Sequence, residues 1–119
     1  MKASFEVKKN VIIRRFKGTI SHDDMLNSWK ELFERYDNLS QYKGIITTFE
    51  GRLPADDPGA VKAMVQLLNE NKEKLKGLRV AIVLDHPMIT NAVMVDHYVK
   101  HVQIRPFVTE TAAMRWVSP

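Results

Sequence analysis

The stretch from Gly44 to Asp85, GIITTFEGRLPADDPGAVKAMVQLLNENKEKLKGLRVAIVLD, decides the fold. It opens on a β-branched and aromatic run, GIITTF, that suits a strand. It then crosses a polar loop and enters a helix at Asp57-Pro58. Pro at the first helical position after an acid at the N-cap is a strong start signal. Val61, Met64, Val65 and Leu68 fall on one face of a helix predicted to run through to Leu75. GLRVAIVLD follows as an almost unbroken apolar run, the pattern of a strand buried on both faces of a parallel sheet.

Working outward, SFEVKKNVIIRRFKG reads as a hairpin around Lys9-Asn10, with Phe5 and Val7 alternating and Val11, Ile12, Ile13 and Phe16 in the second strand. TISHDDMLNSWKELFERYD carries a helix capped by Ser21, with Asp24 at the position that completes a capping box. Met25, Trp29, Leu32, Phe33 and Tyr36 form its apolar stripe. HPMITNAVMVDHYVKH has Pro87 in a first helical turn, and VQIRPFV is a strand whose Pro106 argues for a sheet edge. TETAAMRWV closes as a short helix capped by Thr109. The order is β-β-α-β-α-β-α-β-α. It predicts one α/β domain over residues 1–119, with a five-stranded, mostly parallel sheet and one antiparallel edge strand.

Composition narrows the function. The chain has 119 residues, 45% hydrophobic and 27% charged, which suits a globular domain. It has no cysteine, which removes disulfides, thiolate catalysis and Cys-based zinc sites. No apolar run approaches the roughly 18 residues of a membrane span, and the start shows no signal-peptide core, so a cytoplasmic protein is expected. The net charge of +4 is spread among intervening acids rather than gathered on a basic face, which argues against nucleic acid.

In open α/β sheets ligands collect outside the carboxyl ends of the parallel strands. Those ends deliver Thr19 to Asp23, Glu50 to Asp57, Asp85-His86-Pro87 and Val108 to Glu110. Asp85 and His86 form a candidate acid–base pair, although DHP is also a helix start. No G-x-S-x-G elbow or glycine-rich phosphate loop is present, so no catalytic residue is assigned. His97 and His101 are four apart on one predicted helix, but Tyr98 stands where a zinc-protease motif needs Glu, and no metal or cofactor is expected. Trp29 and Trp116 read as core residues, and Thr47 and Thr48 as strand residues with local hydrogen bonds. The helical methionines could line an apolar pocket as well as fill a core.

The element order, the segment GIITTFEG…ADDPGAVKAMVQLL and the ending FVTETAAMRWV together resemble the SpoIIAA-like branch of the STAS superfamily. The closing phrase is matched by Phe107, Ala113, Trp116 and Val117. Anti-sigma factor antagonists of that superfamily carry a D-S-S-G or D-S-x-G signature whose first serine is phosphorylated. Laid on this chain, the signature falls on Asp56, Asp57, Pro58 and Gly59. Asp57 replaces the serine, so a phosphorylation switch cannot operate there. A helix N-terminus favours negative charge, and Asp57 supplies it permanently. The resemblance implies a non-enzymatic regulatory domain that docks a protein partner through Glu50, Arg52, Asp56, Asp57 and Gly59, with Asp85 and His86 alongside. The alternative is a carrier or sensor of a small apolar ligand, since the sheet architecture also resembles Sec14-type lipid-binding domains. An enzyme using Asp85 and His86 ranks third. The two predicted edge strands leave a homodimer open.

Overall fold

The computed structural model describes residues 3–50, 58–84 and 102–119. The five strands are β1 (Ala3–Lys8), β2 (Val11–Lys17), β3 (Gly44–Glu50), β4 (Arg79–Val83) and β5 (Gln103–Phe107). They lie in the spatial order β1-β2-β3-β4-β5, with β1 antiparallel to β2 and every later pair parallel. Four α-helices are described, α1 (His22–Arg35), α2 (Pro58–Glu70), α3 (Lys72–Leu75) and α4 (Glu110–Val117), with a short 3-10 turn at Leu39–Gln41. This is the α/β architecture expected from the sequence. The helix expected over Pro87–His101, with His97 and His101, lies outside the described residues.

Alternation along the strands divides the core into two layers. Ile12, Ile45, Val80 and Ile104 face α1, α2 and α3, meeting Trp29, Leu32, Phe33, Leu68 and Leu75. Val11, Ile13, Ile46 and Ala81 face the other way and are covered by Ala113 and Val117 of α4. Gly44 permits the second contact. A Cβ there would lie 2.2 Å from the Arg79 carbonyl oxygen and 2.6 Å from Val117 Cγ1, so only a bare Cα lets α4 settle on the sheet.

Local signals act as their chemistry dictates. Ser21 Oγ accepts from the Asp24 amide at 3.0 Å, and Asp24 Oδ2 accepts from the Ser21 amide at 2.9 Å, a complete capping box. Thr109 caps α4 through the Ala112 amide. Pro106 sits on edge strand β5, where a missing N–H costs the sheet nothing on its outer side. The hairpin turns through Lys9 and Asn10, both left-handed at φ 53° and 64°.

One expectation is corrected. The helix predicted to run through to Leu75 stops at Glu70, and α3 follows as a separate turn. Asn71 causes the break. Its side-chain amide donates to the Leu67 carbonyl at 2.9 Å, the acceptor its own backbone N–H would use in a continuous helix. That N–H shifts to the Leu68 carbonyl instead, a tighter turn that ends the α-helical ladder.

Candidate functional site

The carboxyl ends of β2 and β3 are tied together where they leave the sheet, because the Gly18 amide donates to the Glu50 carbonyl at 3.1 Å. Glu50 is exposed there, and its carboxylate makes no ion pair among the described residues. Gly59 lies in the first turn of α2, directly after Pro58. Arg52, Asp56, Asp57, Asp85 and His86 lie outside the described residues. Ser21 is occupied by helix capping. Among the described residues no group of three or more His, Cys, Asp or Glu side chains gathers to hold a metal, and no helix is long and apolar enough to cross a membrane.

The unexpected feature lies deeper. Arg14, in the middle of β2, is only 2% exposed and points into the helix-covered layer with Ile12 and Phe16. Its Nε and Nη2 both donate to Thr47 Oγ1, at 3.2 and 2.9 Å, and Nη1 donates to Ser28 Oγ at 3.3 Å. The guanidinium carbon stands 4.2 Å from the Trp29 ring centroid and 5.1 Å from that of Phe16. Among the described residues no carboxylate pairs with it. Burial pushes its pKa down to about 9, which leaves it charged at neutral pH. A lone buried cation held by two hydroxyls and two rings is costly to fold around, so it calls for a reason.

Arg15, one residue on, shows the ordinary solution. It points to the opposite face and pairs with Glu110 at 2.8 Å and Glu6 at 2.7 Å. These contacts raise the Arg15 pKa, and hydrogen bonding from Arg15 lowers that of Glu110. The same charge on adjacent residues is thus neutralised on one face and bare on the other.

Arg14 was not among the site residues expected from the sequence. The signal was present in VIIRRF, where period-two alternation sets Arg14 on the same face as Ile12 and Phe16. Thr47 and Thr48 were expected to satisfy themselves locally. Thr47 instead accepts from Arg14, thirty-three residues away in sequence, and among the described residues the buried Thr48 Oγ1 has no hydrogen-bond partner. Trp29 is a core residue as expected. Trp116 is only partly buried and lies near both Arg79 and Arg105, whose guanidinium carbons are 5.5 and 5.2 Å from its ring centroid.

No family model matches the chain, and no curated protein matches it. Among solved structures it is similar to an uncharacterized protein of the DUF3478 family from Shewanella loihica PV-4, described as having a SpoIIAA-like fold. The two chains are 14% identical and superpose with a TM-score of 0.62, covering 97% of this chain and 91% of the other. This chain has a SpoIIAA-like fold.

Proposed function

We propose that this chain is a non-enzymatic binding domain of STAS type that docks a protein partner at the rim formed by the carboxyl ends of its parallel strands. The contact residues are Glu50, Arg52, Asp56, Asp57 and Gly59, with Asp85 and His86 beside them. The SpoIIAA-like fold supports this reading, together with the start of α2 at Pro58, directly after the acid pair that stands in place of the phosphorylatable signature. Native mass spectrometry of the protein purified gently from its host tests it. A stoichiometric complex is expected, and Asp57→Lys should abolish that complex while costing the fold only the lost cap, about 1 kcal/mol. A complex indifferent to Asp57→Lys and Glu50→Lys refutes the rim as the contact.

A second reading, a sensor or carrier of a small ligand, is favoured by Arg14. Buried, charged and without a carboxylate among the described residues, it fits a fold that receives an anion from outside. On this reading the same mass spectrum carries an added small-molecule mass.

A further inference from the structure

We propose that Arg14 is the anchor of an internal site, between the sheet and α1, that takes the carboxylate of a small organic acid with an apolar body. The proposal rests on the second reading above and names its ligand class. A guanidinium has five N–H groups. Three of them donate to Thr47 and Ser28, and five less three leaves two, one on each Nη. One free donor on each terminal nitrogen matches the two oxygens of a carboxylate.

The surroundings choose the rest of the ligand. Phe16 and Trp29 flank the guanidinium, and Phe49, half-buried, stacks on Phe16 at 5.1 Å between centroids. Ile82, Met64 and Val65 on the same layer are also only partly buried. The side-chain polar atoms that reach the guanidinium, Ser28 Oγ and Thr47 Oγ1, already accept from Arg14. A doubly charged phosphate needs more donors than the described residues of this layer offer, whereas a single carboxylate neutralises Arg14 and its apolar remainder meets rings and aliphatic chains.

The test uses the full chain carrying Trp116→Phe, which leaves Trp29 as the sole tryptophan. Octanoate, octanol and inorganic phosphate are titrated separately, with Trp29 emission and calorimetry as readouts. Octanoate should bind saturably, perturb Trp29, and bind at least tenfold more tightly than octanol or phosphate. Arg14→Met, checked for folding by circular dichroism, should weaken octanoate at least tenfold, with Arg14→Lys between the two. Equal octanoate affinity in wild type and Arg14→Met overturns the proposal. Octanol binding as tightly as octanoate also overturns it but leaves the apolar-ligand reading standing. Phosphate binding as tightly as octanoate excludes the apolar body. Saturation by none of the three removes this site and weakens the ligand reading with it.

Discussion

Replacing Arg14 by Met should make the ligand-free protein more stable. Met has similar length and no charge, so it fills the layer among Ile12, Phe16 and Trp29 without a desolvation penalty. The fall of the Arg14 pKa from the ordinary guanidinium range to about 9 marks a penalty on the charged form on the order of 4–5 kcal/mol, at 1.36 kcal/mol per tenfold. Against this stand the hydrogen bonds to Thr47 and Ser28, whose loss returns about 1–2 kcal/mol of unmet polar groups. The net expectation is a gain of about 3 kcal/mol, within the 1–4 kcal/mol seen when buried charges give way to apolar side chains. For a chain of this length that raises Tm by about 12 °C, at roughly 4 °C per kcal/mol.

The pH profile sharpens the test. Below pH 9 both folded and unfolded Arg14 are protonated, and the penalty is felt in full. Above pH 9 the folded form loses its proton first, the unfolded chain binds more protons, and wild-type stability rises relative to the variant. The gap measured by urea denaturation should therefore narrow between pH 8 and pH 10.5, by about 2 kcal/mol. If Arg14→Met is instead destabilised by more than about 1 kcal/mol at pH 7, with a gap that does not change with pH, the guanidinium is a satisfied structural group and the reasoning fails.

Gly44→Ala should cost about 3 kcal/mol, because the added methyl meets the Arg79 carbonyl, a rigid backbone atom, as well as Val117. Urea midpoints at unchanged slope measure this, and a loss under 1 kcal/mol would mean that α4 rides up freely. Lys9→Asn should add about 0.5–1 kcal/mol, since Asn tolerates the left-handed backbone at φ 53° better than Lys does. A Tm rise of about 2–4 °C is expected, and no rise would show that the turn is unstrained. The Glu110 carboxyl is held below the usual range by hydrogen bonding from Arg15, so its stabilisation is present at neutral pH and is lost as acid protonates it in the folded state. Glu110→Gln should therefore be less stable at pH 7 and should flatten the fall in stability below about pH 4, which acid titration followed by circular dichroism reads directly.

The fold was legible because its signals are local and mutually consistent. Ser21 with Asp24, Thr109 before α4, and Pro106 on an edge are each settled by chemistry within three or four residues. Asn71 shows the limit of such reading. An Asn inside a helical pattern costs little on average, and only the acceptor it takes, the Leu67 carbonyl, reveals that it ends α2. The candidate site was less legible for a different reason. Rim residues announce themselves by falling at strand ends, whereas Arg14 sits inside a strand where a basic residue ordinarily points to solvent. The sequence contains two adjacent arginines, and one of them must enter a buried layer once both faces of β2 are covered. Which one lacks a counter-ion depends on Glu6, nine residues away, and Glu110, ninety-five residues away, both of which reach Arg15. No local pattern encodes that.

The strand order also bears on where a small ligand can sit. In doubly wound sheets the order reverses, and the reversal opens a crevice at the carboxyl edge that receives the ligand. Here the five strands follow one another in sequence order, and α1 and α2 pack on the same face. Among the described strands no reversal exists, so the strand order opens no crevice of that kind, and the layer between sheet and helices is the place the proposed ligand would enter. Arg14 pairs with Thr47 across β2 and β3, and Lys17 pairs with Glu50 at their ends, three residues further on. At about 3.3 Å per residue, the guanidinium-bearing position lies about 10 Å below the rim. One helix borders both levels. Ser28 and Trp29, which hold the guanidinium, stand on α1, whose first turn is fixed at the rim by the Ser21–Asp24 box. An acid seated on Arg14 would thus press on the helix whose start borders the proposed docking surface, and a partner gripping that start would press back. By linkage each would change the other's affinity by the same factor, so a small-ligand site and a protein-docking rim are compatible parts of one sensor rather than rival descriptions of the fold.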